Sequence, residues 1–298
     1  MQATKSRGHD ERTRAEGQAS ALDRLLALAH SFLPTRALSR FTGVLARSRR
    51  PWLKNRLNRF FAERYALDLS EAERPRPEDY PSFNALFTRR LQPGSRPLPE
   101  DPGSLVSPCD GTVSAVGYLD GESILQAKGV RYRLPTLLGG LPHGGLTDGA
   151  FITIYLSPRD YHRFHAPLAL SLESERHIPG RLLTVAPSAV RGIGDLFLRN
   201  ERLALRWQSD RGPVALVAVG ALNVGSIETV WSGVSDAPPG SSHHYAPEEG
   251  PRLQRGDELG RFNLGSTLIL LLPRKTTDWD PGLVPGTRLR MGQALERS

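Results

Sequence analysis

Three short stretches carry residue types suited to acid–base or nucleophilic chemistry. The richest is Tyr161-His162-Arg163-Phe164-His165-Ala166-Pro167, where two of the chain's eight histidines stand three residues apart. Imidazole titrates near neutrality, so such a pair suggests general acid–base work. On a helix the two rings would share a face and could hold a metal. Pro158 and Pro167 bracket the stretch, however, and no carboxylate or cysteine stands at ligand spacing, so no metal is expected. On a strand the rings would point to opposite faces. A structural role is the plainer alternative for either ring. The second stretch is Ser107-Pro108-Cys109-Asp110-Gly111-Thr112-Val113. An Asp before Gly at a strand start reads first as a turn residue. The third, Phe262-Asn263-Leu264-Gly265-Ser266-Thr267, opens an apolar strand, where Gly-Ser usually marks a turn or bulge. It is not the Gly-x-Ser-x-Gly elbow, which disfavours an ordinary α/β-hydrolase. Asp, His and Ser are still the parts of an activated serine. Composition does not say whether Asp110, His165 and Ser266 converge.

The elements that must position these residues are short. The chain has 298 residues with 29 Gly and 24 Pro, which favours many turns over a helix bundle. Strands are expected at Gly111–Gly117, Ala150–Leu156, Leu203–Trp207, Val214–Val219, Ser226–Trp231 and Thr267–Leu272. Ser82 is placed to cap a helix running from Phe83 to Leu91, with Phe83, Leu86 and Phe87 inward. The loop 232–257 is polar, and 273–298 reads as a poorly structured tail draped over the core. The fold class expected is α+β: N-terminal amphipathic helices on a compact, mainly antiparallel β-rich domain. The boundaries are a disordered tail at 1–20, a basic helical region at 21–67 and the β-rich catalytic domain at 68–298.

The basic region is distinctive. Residues 35–64 hold nine Arg and Lys against Glu63 alone, which accounts for the whole formal charge of +8. Apolar residues recur there at helical spacing: Leu22 to Leu33, then Leu38, Phe41, Val44 and Leu45. A third run, started by Pro51, carries Leu53, Leu57, Phe60, Phe61 and Tyr65. Arginines beside aromatic and leucine faces suit a helix lying in a membrane interface. Packing on the chain's own domain is the alternative, and the stripes are greasier than a nucleic-acid helix needs, so no nucleic-acid partner is expected. No apolar stretch is long enough to span a bilayer, and the first twenty residues lack a signal-peptide core. The single cysteine, Cys109, excludes an internal disulfide and a multi-cysteine zinc site.

The motifs fall in an order that resembles the bacterial phosphatidylserine decarboxylase family. The series runs Phe83-Asn84-Ala85-Leu86-Phe87-Thr88-Arg89, then Ser-Pro-Cys-Asp-Gly, then Ile124-Leu125-Gln126-Ala127-Lys128-Gly129. It continues through Tyr155 to His165, Leu196-Phe197 with Asn200-Glu201-Arg202, Val219-Gly220-Ala221 and Val224 to Val230, and ends in Leu264-Gly265-Ser266-Thr267. Each motif is weak; the ordered series is specific. Cys109, where the family more often has Val or Ala, and the polar extension before residue 20 are the departures.

The resemblance implies a self-processing enzyme in which Asp110, His165 and Ser266 form a charge relay. Ser266 would cleave the chain after Gly265, giving a β chain, 1–265, and an α chain, 266–298, that stay together as a heterodimer. The α chain would begin with a covalent pyruvoyl group made from Ser266, the only cofactor implied. That group would form a Schiff base with phosphatidylserine and release CO2, leaving phosphatidylethanolamine. His162 would be the proton donor. The resemblance further implies a peripheral protein on the cytoplasmic face of the cell membrane, at an anionic surface, and leaves further homo-oligomerisation open. A membrane-surface serine hydrolase that does not self-cleave, and a β-sandwich binding module with a basic anchor, are the competing readings.

Overall fold

The computed structural model describes residues 42–125, 131–186, 189–190, 195–221, 227–234, 240–246, 248–263, 266–274 and 277–297. The expected tail 1–20, the helix over Leu22–Leu33, the Gln126–Gly129 motif and the Leu264-Gly265 pair lie outside the described residues.

Residues 42–47 are helical and lead into α1, Pro51–Arg64, with Pro51 in its first turn as expected. Phe61 turns inward and meets the rings of Phe83 and Phe87 at 5.0 and 5.8 Å. Leu69, Ala72, Tyr80 and Leu86 complete this small core. Phe60, expected on the same apolar face, is instead exposed. Helix α2 is Phe83–Phe87; the Ser82 hydroxyl accepts the Ala85 N–H at 3.1 Å, as its position suggested. The helix stops a turn earlier than expected. Leu91 is drawn into a bridge with Ala72, and the carbonyls of Thr88 and Arg89 turn to the Arg163 side chain.

The body is α+β and mainly antiparallel. Its principal strands are β1 Gly111–Tyr118, β4 Ala150–Leu156, β6 Leu170–Ile178, β7 Arg202–Ser209, β8 Gly212–Gly220 and β14 Ser266–Leu272. With the short β11 (Ser242–His244), β12 (Arg252–Leu253) and β15 (Arg288–Leu289), they form a nine-stranded sheet. Its path is β11-β6-β7-β8-β14-β4-β1-β15, with β12 beside β6. A smaller sheet orders β10 (Gly233–Val234), β9 (Ile227–Thr229), β13 (Glu258–Phe262) and β5 (Arg163–His165). A hairpin, β2 (Ser123–Leu125) with β3 (Arg131–Arg133), stands apart.

Strand β14 lies between β8 and β4 and is buried on both faces, which is why it reads as an unbroken apolar run. On one face Leu268, Leu270 and Leu272 join Phe164, Phe262, Leu259 and Ile227 of the smaller sheet. On the other, Ile269 and Leu271 pack with Leu134, Leu137, Leu196 and Phe197 of two short helices, α3 (Leu134–Leu137) and α4 (Leu196–Arg199). The segment after β14 is better built than expected. It contributes β15 to the sheet, Leu283, Leu289 and Leu295 to the core, and a Trp279 N–H donated to the Gly117 carbonyl at 3.1 Å.

Candidate active site

Ser266 is the first residue of β14, opposite Leu156 on one side and Gly220 on the other. Strand alternation puts it on the face of Leu268 and Leu270, toward the layer between the two sheets. It has no exposure, and its Oγ has no hydrogen-bond partner among the described residues. The neighbouring Thr267 Oγ1 is also unpartnered. A buried hydroxyl left without a partner costs about 1–3 kcal/mol. Such an orphan in a well-packed fold asks for an explanation, and a nucleophile held at a strand end supplies one.

The two histidines come from the segment that crosses this end of the sheet after β4. His162 is fully buried with its ring 3.9 Å from that of Phe87. Its Nδ1 lies 2.8 Å from the Asp160 carbonyl oxygen. A carbonyl only accepts, so Nδ1 carries the hydrogen and Nε2 is a bare lone pair. That Nε2 has no partner among the described residues. Burial pushes the ring's pKa down to about 3. The His162 carbonyl accepts the Phe262 N–H at 3.0 Å, so His162 stands beside the chain that runs into Ser266.

His165 lies opposite Glu258 in the smaller sheet. Phe164 enters the inter-sheet core, while the Arg163 side chain leaves it for the Thr88 carbonyl and Glu258. His165 Nδ1 donates to the Gly256 carbonyl at 2.8 Å, and Nε2 accepts the Tyr161 hydroxyl at 3.0 Å. Burial again lowers the pKa, so this imidazole too is a neutral base. Its tautomer is the one a serine-activating base needs.

Asp110 precedes β1 and is held elsewhere. Its carboxylate accepts from Arg96 Nη2 at 2.8 Å and from the Met291 N–H at 2.8 Å. No hydrogen bond joins Asp110 to His165, or His165 to Ser266, among the described residues. The carbonyl of Gly256 orients the His165 ring, the task the sequence suggested for Asp110. Thr112 and Thr267 both face Tyr155 across β4, so the strands of Asp110 and Ser266 stand about 10 Å apart, two ladder spacings. Asp110 and Tyr161 share a cleft of about 510 Å³ with Arg89, Arg96, Asp160 and Arg288. Asp160 is buried in its wall. Burial alone would raise its pKa, but Arg288 at 2.6 Å and Ser157 outweigh that and hold the carboxyl below its usual range. Tyr161, Arg96 and Gly256 drew no role from the sequence. Only Tyr161 left a signal, four residues before His165 in the same motif.

The buried Cys109 thiol has its pKa pushed well up by burial, so it is not the nucleophile of this site.

A profile of the phosphatidylserine decarboxylase family matches residues 83–297, and a companion profile, PSD, matches 25–66. A phosphatidylserine decarboxylase proenzyme of Halorhodospira halophila is 63% identical over 282 residues, 95% of this chain and 97% of that protein. Proteins of the same name from Alkalilimnicola ehrlichii and Azotobacter vinelandii are 45% and 44% identical, covering 95% and 92% of this chain and 99% and 98% of their own. Ordered motifs, antiparallel sheet and near full-length identity agree, and the chain belongs to the phosphatidylserine decarboxylase family.

Proposed function

We infer that this chain is the proenzyme of a pyruvoyl-dependent lyase that converts phosphatidylserine to phosphatidylethanolamine and CO2. The observation that carries this is the Ser266 Oγ: fully buried, without a partner, at the first residue of the central strand. For a buried Oγ the nearest acyl group is the carbonyl of its own preceding residue, and the cut that follows frees residue 266 as a chain end able to meet substrate. That favours self-cleavage between Gly265 and Ser266 over the serine-hydrolase reading.

In this account His165 takes the Ser266 hydroxyl proton at Nε2 as Oγ attacks the Gly265 carbonyl. The Gly256 carbonyl keeps the proton on Nδ1, and Asp110, fixed by Arg96 and the Met291 N–H, sets the field across the cleft. The ring must leave Tyr161 to do this, so the Tyr161 hydroxyl holds His165 in readiness. The resulting ester breaks by β-elimination, which frees the Gly265 carboxylate and leaves residue 266 as a dehydroalanine; its enamine tautomerises, takes up water and releases ammonia, leaving the pyruvoyl end. Ser266 fits that fate: its Oγ makes no hydrogen bond that its loss would forfeit.

Once formed, the pyruvoyl group supplies the electron sink for decarboxylation. His162 acts as a proton carrier: its bare Nε2 takes a proton from the substrate's ammonium group and returns it to the α-carbon after CO2 leaves, while Phe87 and the Asp160 carbonyl keep the ring in place. The basic segment 21–67 lays the enzyme against an anionic bilayer on the cytoplasmic face, as a peripheral protein. Val44, Trp52 and Phe60 support this, being 71%, 68% and 64% exposed among arginines. Among the described residues no helix is long and apolar enough to cross a membrane.

The test is CO2 release from phosphatidylserine labelled in the serine carboxyl. The purified chain releases label and its Ser266→Ala variant does not; equal release from both would refute the assignment.

A further inference from the structure

Arg89 is the one buried arginine in the cleft wall that forms no ion pair with the described residues; Arg159, also unpaired, is exposed. It is 5% exposed, and both Nε and Nη1 lack a partner. Its remaining nitrogen, Nη2, donates only to the Arg159 carbonyl at 3.0 Å. The other cleft arginines with carboxylates beside them are paired: Arg96 with Asp110 and Glu71, Arg288 with Asp160, Arg290 with Glu71. Buried arginines elsewhere are satisfied too. Arg163 grips Glu258 through Nη1 at 2.6 Å to each carboxylate oxygen, and Arg202 gives all three nitrogens to backbone carbonyls. Guanidinium stays protonated, and burying it unpaired costs several kcal/mol by general estimates. The cleft as a whole counts five arginines and four carboxylates, one positive charge over.

We propose that Arg89 is the anion anchor of the substrate cleft and holds the phosphodiester of the phospholipid headgroup. The proposal rests on the decarboxylase reading above. The headgroup offers two anions, and the reaction chooses between them. A carboxylate clamped by Arg89 would be stabilised in the ground state, and that stabilisation would vanish as CO2 leaves, opposing the reaction. The phosphodiester keeps its charge from substrate to product, so a bond to it binds without resisting the chemistry. Two unfilled N–H groups suit two phosphate oxygens. The placement is right as well. Two residues before Arg89, the Phe87 ring packs on His162, and the cleft of about 510 Å³ has the size of a small-ligand site.

The test uses the self-cleaved enzyme in mixed micelles, with Arg89→Gln and Arg89→Lys first checked for the two-chain mass. Arg89→Gln should raise KM for phosphatidylserine about tenfold to a hundredfold, the worth of a charge-assisted hydrogen bond, with kcat within about twofold. Its inhibition by the product lipid, which keeps the phosphodiester and lacks the carboxylate, should weaken by the same factor. Arg89→Lys should recover part of the loss. On the wild-type enzyme dimethyl phosphate should compete with substrate and acetate should not, an arm that stands even if the variants do not fold. An unchanged KM, an effect confined to kcat, or acetate competing as well as dimethyl phosphate would overturn the anchor. Dimethyl phosphate binding that depends on Arg89 while product inhibition does not would mark a free-phosphate site and also overturn it. If the wild type releases no CO2, the decarboxylase reading fails; if it does and the Arg89 arms fail, only the anchor falls.

Discussion

His162 spends its one N–H on the Asp160 carbonyl and keeps a bare Nε2 inside the fold, uncharged until the pH nears 3. The unfolded imidazole takes up a proton below its ordinary 6.5. Between those values the unfolded chain binds the extra proton, so stability is lost as pH falls through that window, at about 1.4 kcal/mol per pH unit for each such group. His165, also lowered by burial, adds to the same slope. Urea midpoints measured from pH 7 to pH 4 should therefore fall less steeply in His162→Gln than in the parent chain; identical slopes would mean that His162 is not buried neutral. The division of labour between the rings has its own test. His162→Ala should still yield two chains but lose about 10²–10⁴-fold in decarboxylation, the usual worth of a general acid. An uncleaved His162→Ala would place that ring in processing instead.

The elements were legible where one cause dominated. Strands β4 and β14 are buried on both faces, and their apolar runs gave bounds within a residue of those found. The Ser82 cap was equally direct, and Ser82→Ala should cost about 1 kcal/mol in thermal or urea unfolding. Strand β6 went unread because residues 173–177 of its Leu170–Ile178 run are all polar, so no apolar alternation shows, although Ser174 and His177 are buried. Strands β5 and β13 are too short to show a period, and the smaller sheet exists only through their pairing. The segment 273–298 looked unstructured because its anchors, Trp279, Leu283, Leu289 and Leu295, are spaced by turns and not by a repeat. At α1 the periodicity marked the helix but not its two customers: Phe61 serves the small core and Phe60 faces out. Removing residues 21–67 should release the protein from anionic vesicles in a flotation assay, and a chain that still floats would unseat the membrane role of this region.

For the molecule as a whole, the described residues from Ser266 onward are built into the large sheet at two places, its middle through β14 and its edge through β15. Strand β14 is hydrogen-bonded on two sides and β15 pairs with β1. A cut before Ser266 therefore leaves the α chain in place, and the two chains should co-elute on size exclusion and part only in denaturant. How the site is wired was hidden from the sequence. The motif order pointed to Asp110, His162, His165 and Ser266, but ring orientation is a tertiary outcome. That Gly256 and Tyr161 hold His165, and Arg96 holds Asp110, depends on loops distant in the chain. The central claim, that Ser266 cuts its own chain, is met most directly by an intact mass spectrum of the purified protein beside Ser266→Ala. The parent should give two chains divided between Gly265 and Ser266, the smaller one beginning with pyruvoyl, and the variant a single uncut chain. One intact, unmodified chain from the folded parent protein would contradict it.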